Sequence, residues 1–329
     1  MKRVSFIVLI FLPLIAGCSG PKTVQKTETI MGTQVSITVV AKTEQEGEAA
    51  IDAAMAEVRR FDRMMSLYKD DSEITRVNLA AGKGPVEVSP EMIEIVEAAR
   101  KISELTDGAF DVTVGPLVVL WQMRLKEGAA PTETEIESIK NRVGYRNIIT
   151  DKKASTLFLM KPGMIMDFGG CAKGYVADRV AELLKGRGID NAIVALAGDI
   201  RVMGHRPDGS SWRIGVQHPR DSAKTLTVLE LSDKFISTSG DYERYQIVHR
   251  KRYHHILDPR TGKPSEGMES VTLVGERGSD GDPLATALFI LGPKQGRKIV
   301  KKLGYNAIFV DDKGRVVMTD GIKKIANSL

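Results

Sequence analysis

The order of the apolar patterns predicts an α+β fold, a single body of mixed or antiparallel sheets with helices packed on one side. Helical spacing dominates the first third of the chain. From residue 191 onward, short β-branched runs follow one another without regular helices between them, which is not the alternation of a doubly wound parallel sheet. No repeat, low-complexity tract or Pro/Gly-rich linker interrupts 29–329, so that stretch reads as one domain.

Taken in order, residues 18–28 are polar and read as a tether, after which Val35, Ile37 and Val39 alternate with polar neighbours as in a half-buried strand. Over 46–68, Ile51, Met55, Val58, Phe61 and Met65 recur at helical spacing. A second helix opens with Ser89 as N-cap and Pro90 at its first position, runs through Met92, Val96, Ala99 and Ile102, and ends at Gly108. Thr132 and Glu135 form a capping box for a shorter third helix. A strand-like run at 163–166 leads through Gly169-Gly170 into a fourth helix over 175–184. Strands are then expected at 191–196, 212–217, 226–231, 253–257 and 270–274, a helix at 283–291 and a last hairpin at 306–319.

The chain has 329 residues, 42% hydrophobic and 27% charged, which excludes a collagen, a disordered chain and a disulfide scaffold. A chain of this length buries roughly 75% of the surface its unfolded form exposes, so it needs no metal staple to fold. Lys2 and Arg3, the apolar run 4–15 and the small residues before Cys18 look like an export signal of the bacterial lipoprotein kind, expected to be removed at 1–17 with Cys18 lipidated, for instance by palmitate. An uncleaved anchor is the alternative. Without Lys2 and Arg3, 45 basic side chains face 42 acidic ones, a net +3 too weak for a nucleic-acid binder. The mature protein is expected to be exported and anchored through its lipid to a bacterial membrane facing the periplasm, the inner membrane ahead of the outer. With Cys18 lipidated, Cys171 is the one remaining thiol and no internal disulfide forms.

P-loop, dinucleotide-fingerprint, zincin and nucleophile-elbow motifs are all missing. What stands out instead are small residues interleaved with Asp, His, Thr and Lys. In 167–174, glycines precede a helix whose N-terminal N–H groups, with Lys173, can hold an anion; a tight turn with Asp167 as N-cap is the plainer reading. Asp282 and Thr286, at i and i+4, share a helix face and offer two hard oxygens suited to Mg²⁺, or else Asp282 merely caps a helix that starts at Pro283. His255 is a candidate general base or simply a satisfied histidine. Arg250-Lys251-Arg252 reads as a solvated hairpin tip.

Taken together, Met31-Gly32-Thr33, Ser66-Leu67-Tyr68, Gly108-Ala109-Phe110-Asp111, Asp167-x-Gly-Gly-x-Ala-Lys-Gly174, Ser237-x-Ser-Gly-Asp241-Tyr242, His255-Ile-Leu-Asp-Pro-x-Thr-Gly262 and Asp282-x-x-Ala-Thr286 resemble, in order, the ApbE family of FAD:protein FMN transferases. The resemblance implies a body related to the T-fold and Mg²⁺-dependent transfer of FMN from FAD to a Thr or Ser hydroxyl, releasing AMP. The implied acceptors are flavoprotein subunits of membrane redox complexes bearing a motif like Asp-Gly-x-Thr-Gly-Ala-Thr/Ser. It further implies metal ligands at Asp282, Thr286 and the Gly170 carbonyl, and FAD contacts at Met31, Tyr68, Ala109, Phe110, Asp111, Asp167, Lys173 and His255, with His255 handling the proton. An FAD pyrophosphatase and a non-catalytic FAD carrier are the alternatives. The chain departs from the family pattern at Ala285, where some members have a carboxylate, at Ala195 and Ala197, and at Cys171, read here as packing.

Overall fold

In the computed structural model, which describes residues 20–327, the first strand lies where the sequence suggested a tether. Lys22–Ile30 (β1) pairs along its whole length with Thr33–Ala41 (β2), from Lys22 opposite Ala41 to Ile30 opposite Thr33. It lacks an apolar alternation because it is an exposed edge strand. What holds it is the backbone ladder together with side-chain links such as Gln25 to Ser36 (2.9 Å) and Lys26 to Asp52 (2.9 Å). Met31 (φ 55°) and Gly32 (φ 68°) close the hairpin, two left-handed residues as a type I′ turn requires. Cys18 and the signal segment lie outside the described residues.

Six more strands complete the sheet: Asn191–Leu196 (β3), Asp199–Met203 (β4), Phe235–Gly240 (β5), Met268–Gly275 (β6), Asn306–Asp311 (β7) and Val316–Met318 (β8). All eight lie side by side in chain order with every neighbour antiparallel. The predicted α+β class therefore holds, and the sheet is antiparallel.

One face carries the helices Glu44–Met65 (α1), Pro90–Leu105 (α2), Ala172–Gly186 (α3) and Gly278–Leu303 (α4). Their apolar stripes, including Met55, Val58, Phe61, Val176, Val180 and Leu288, join Val35, Ile37, Val194 and Leu273 in the main core. The other face is covered by the hairpin Trp212–His218 and Asp221–Leu231, whose Trp212, Ile214, Leu229 and Leu231 pack on Val202, Ile236, Val274 and Ile308. This second cover explains why all eight residues of β6 are buried. Among the described residues, no helix is long and apolar enough to cross a membrane.

The predicted caps are present: the Ser89 side chain accepts from Met92 N–H with Pro90 behind it, and Thr132 and Glu135 form the capping box. Several boundaries differ from expectation. α1 starts two residues earlier, with Thr43 as N-cap, and ends at Met65 rather than Tyr68. The 163–166 run is no strand, only a single bridge from Ile165 to Val114. Helices Glu73–Leu79 and Gly115–Lys126 were not anticipated; the second is apolar almost all round its first turns and lacks helical periodicity. The 253–257 run splits between strands Lys251–His254 and Leu257–Asp258. α4 begins at Gly278, not Pro283, since the glycines before the proline hid its first turn, and it breaks at Gly292 (φ 67°).

Candidate active site

Strand registers bring two turns and a strand end to one end of the sheet. Ile30 faces Thr33, Val35 faces Leu196, Leu196 faces Asp199, Asp199 faces Ser237, and β5 runs on to Gly240 opposite Ser270. The Met31-Gly32 turn, the Ala197-Gly198 turn and the end of β5 thus share that edge. Ala197 holds φ 54°, a left-handed backbone in which glycine would be unstrained.

Here the first turns of α3 and α4 interlock. Gly174 N–H, in the first turn of α3, donates to Asp282 Oδ2 (2.9 Å). Asp282 is therefore neither the N-cap of its own helix nor solvent-facing; it lies inside α4 and is 3% exposed. Nor does Asp167 cap α3. It accepts from Gly169 N–H (2.7 Å) within the preceding turn, while the helix N-cap is Cys171. The anion at the α3 N-terminus that the glycine pattern anticipates is supplied by α4 itself.

Lys173 Nζ lies 3.0 Å from Asp199 Oδ2 and 3.8 Å from Asp282 Oδ2, and donates to the Gly169 carbonyl (3.3 Å). Ser237 donates to the other Asp199 oxygen. Burial alone would lower the Lys173 ammonium, but Asp199 and then Asp282 outweigh it and the net shift is upward. Asp282 is pushed upward, first by burial and then by the Asp199 carboxylate. Asp167 is raised by burial, against the opposing pull of Gly169 N–H, Arg244 and Lys173. This is a carboxylate-rich enclosure around the Lys173 ammonium.

Thr286 Oγ1 lies one turn beyond Asp282 and 3.4 Å from Ser239 Oγ. Gly170 sits between two of these elements: a Cβ there would lie 3.2 Å from the Phe110 ring and 3.4 Å from Thr286 Oγ1. Asp282, Thr286 and the Gly170 carbonyl are all hard-oxygen donors, and the neighbouring carboxylate Asp199 adds negative charge, a set that fits Mg²⁺. Among the described residues no group of three His, Cys, Asp or Glu side chains could hold a metal. A cation held here would complete its shell from water and phosphate, as Mg²⁺ does.

His255 is open to water but crowded by protein. Its Nδ1 is 3.1 Å from the Arg244 carbonyl, which also accepts from His255 N–H (3.1 Å). A carbonyl only accepts, so Nδ1 carries the proton and Nε2 is the basic nitrogen. Desolvation, followed by Arg244, His254 and Lys173 nearby, lowers this imidazole to about 4 against the stabilising contact with the Arg244 carbonyl.

The remaining expected contacts separate into two kinds. Met31 is half-buried on the core at its turn, and Tyr68 is 91% exposed with its ring free of hydrogen bonds and ring contacts among the described residues. Ala109 and Phe110 are buried. The Asp111 side chain, 5% exposed, is engaged within its own loop. Oδ1 accepts from Thr113 N–H (2.8 Å) and Thr113 Oγ1 (2.7 Å), and Oδ2 accepts from Tyr145 N–H (2.7 Å), so its carboxylate braces the loop. Cys171 is buried, and burial raises its thiol, in keeping with packing. Asp199, Ser239 and Arg244 were not among the expected site residues. The period of two along Ser237-x-Ser239 was the available signal, since both hydroxyls leave β5 on the face that meets Asp199 and Thr286.

The family model described as the ApbE family matches residues 31–309. The chain belongs to the ApbE family. Relatives in that family include an FAD:protein FMN transferase of Vibrio cholerae, 33% identical over 98% of this chain and 96% of its own length. One from Escherichia coli strain K12 is 32% identical over 77% of this chain and 74% of its own. The crystal structure of the ApbE protein of Thermotoga maritima superposes with a TM-score of 0.86 at 32% identity, covering 93% of this chain and all of that one. The flavin transferase ApbE of Vibrio cholerae superposes with a TM-score of 0.81 at 28% identity, covering 93% and 99%.

Proposed function

We infer that this ApbE-family chain is an FAD:protein FMN transferase. It joins FMN, taken from FAD, to a Thr or Ser hydroxyl of an acceptor flavoprotein and releases AMP. The observation that carries this reading is the meeting of Lys173, Asp199, Asp282, Thr286 and Gly170 at one sheet end, with His255 on an adjoining loop. The acceptor hydroxyl oxygen forms the new bond to the FMN phosphorus as the bond from that phosphorus to the AMP oxygen breaks, and AMP departs with the electron pair. His255 Nε2 takes the hydroxyl proton, its ring held by Nδ1–H on the Arg244 carbonyl. In this reading the Lys173 ammonium supplies positive charge for the pyrophosphate, and the exposed ring of Tyr68 supplies a face for the flavin.

Asp282, Thr286 and the Gly170 carbonyl would hold Mg²⁺. When bound, that ion supplies charge neutralisation at the pyrophosphate and stabilises the leaving phosphate. The 1–17 signal and Cys18 support an exported lipoprotein on the periplasmic side of a bacterial membrane, and the acceptors in reach there are subunits of membrane redox complexes with an Asp-Gly-x-Thr-Gly-Ala-Thr/Ser-like motif. The test is to incubate the chain with FAD, Mg²⁺ and a domain bearing that motif, separate the proteins under denaturing conditions and quantify AMP. Flavin fluorescence on the acceptor band with one AMP per flavin is expected. AMP with free FMN and an unlabelled acceptor identifies a pyrophosphatase instead, and intact FAD a carrier.

A further inference from the structure

The hairpin Tyr245–Val248 and Lys251–His254 stands outside the eight-stranded sheet as its own two-stranded unit. Its turn, His249 (φ 48°) and Arg250 (φ 65°), is left-handed at both positions, the I′ geometry of a two-residue hairpin. His255 N–H donates to the Arg244 carbonyl, so 244 and 255 form a hydrogen-bonded pair, and so by alternation do 246 with 253 and 248 with 251. Tyr245 and Ile247 therefore turn their N–H and C=O groups outward, along an edge that pairs with no other strand among the described residues.

One face of this hairpin is packed: Val248 is buried, and the Tyr253 ring lies 5.5 Å from that of Trp121. On the opposite face His254 is packed edge-on against Phe289 (ring centroids 5.6 Å), but Tyr245 beside it and Ile247 nearer the tip are open. Tyr245 is 44% and Ile247 64% exposed, with the Arg252 guanidinium 4.2 Å over the Tyr245 ring. Over 243–255 the charged residues are Arg244, Arg250, Lys251 and Arg252 against Glu243; Lys251 pairs with Glu266 (3.8 Å) and Arg252 with Asp241 (3.7 Å), while among the described residues neither Arg244 nor Arg250 has an ion-pair partner. An unpaired edge with exposed apolar side chains is normally blunted. Here it leads, one residue on, to Arg244, whose carbonyl orients His255.

We propose that the Tyr245–Val248 edge is the docking strand for the acceptor, which adds an extended, acidic segment to it and so delivers its hydroxyl to His255. Main-chain pairing supplies the affinity, and the cations at the tip select a segment carrying carboxylates. This rests on the transferase reading, in which a polypeptide must enter the site.

The test uses two variants. Ile247→Pro removes an outward N–H that the hairpin does not use, and its ring obstructs strand addition. Arg250→Asp reverses charge at a left-handed position that Asp tolerates. With the Asp-Gly-x-Thr-Gly-Ala-Thr domain as probe, each variant is expected to raise the acceptor KM at least tenfold, while FAD affinity, read by quenching of flavin fluorescence, stays unchanged. An unchanged acceptor KM overturns the proposal. So does a matching loss of FAD affinity, which would make the hairpin part of the FAD site, or a dimer in sedimentation that only the variants lose, which would give the edge to a second copy. If the unmodified chain labels no acceptor at all, the transferase reading fails instead.

Discussion

Asp178 and Asp282 cap each other's helices. Asp178, in α3, accepts from Gly278 and Ser279 N–H at the start of α4 (2.9 Å each), and Asp282, in α4, accepts from Gly174 N–H at the start of α3 (2.9 Å). Each carboxylate satisfies donors that a helix leaves open and sits at the positive end of the other's dipole. The crossing is so close that a Cβ on Gly174 would lie 2.2 Å from the Gly278 carbonyl oxygen. This lock fixes where Lys173 and Asp282 stand, and so ties the fold to the site.

Gly174→Ala is accordingly expected to destabilise the protein by about 3 kcal/mol or more, since the obstruction is backbone and cannot rotate away. Gly186→Ala, at the open end of the same helix with nothing within 4 Å of its new Cβ, should be neutral or stabilising. Urea midpoints of the two variants provide the comparison.

Asp178→Ala removes one half of the reciprocal cap. Two helix-terminal N–H groups lose their acceptor, and a loss of about 1–2 kcal/mol is expected in the same denaturation assay. FAD affinity should change little, because Asp282 keeps its own partner. A parallel fall in FAD affinity would mean that the Asp282–Gly174 half of the lock does not hold the site in place without Asp178.

Lys173→Met leaves Asp199 and Asp282 facing each other without their shared cation. Removing one partner from a buried charge cluster costs about 3 kcal/mol, measured in EDTA. Adding Mg²⁺ should recover much of that stability, since the ion replaces the lost positive charge, whereas the parent chain should gain less.

The fold class and part of the candidate site were legible in the sequence, for identifiable reasons. Asp282 and Thr286 share a helix face by spacing alone, and Ser89-Pro90 and Thr132 with Glu135 announce their helices through capping chemistry. Lys22–Ile30 was not legible because an edge strand held by backbone pairing needs no apolar pattern. The Asp111 brace and the Asp178–Asp282 exchange depend on groups 34 and 100 or more residues apart, which no local pattern encodes. The same limit hid Asp199, whose role arises only where Lys173 meets it.

His255 yields a pH prediction. Its folded value of about 4 lies below the ordinary 6.5, so between those values the unfolded chain binds more protons and stability falls as the solution is acidified from about 6.5 toward 4. His255→Gln should flatten that part of the stability profile, as seen in thermal midpoints at pH 4.5 and 7. The imidazole stays neutral and able to accept a proton throughout pH 5.5–8 on this account, so the acid limb of activity should not fall near 6.5.

His255→Ala should lower FMN transfer by roughly 10²–10⁴-fold while FAD affinity changes little, the signature of a proton acceptor. An equal loss of both would make His255 an FAD-orienting residue.

The most direct test of the account is the intact mass of an acceptor domain bearing Asp-Gly-x-Thr-Gly-Ala-Thr after incubation with the chain from Ser19 onward, FAD and Mg²⁺. The expected result is a gain of one FMN less one water, absent when the acceptor Thr is replaced by Ala and absent with Asp282→Asn. An acceptor of unchanged mass, with FAD either intact or cleaved to FMN and AMP in solution, would contradict it.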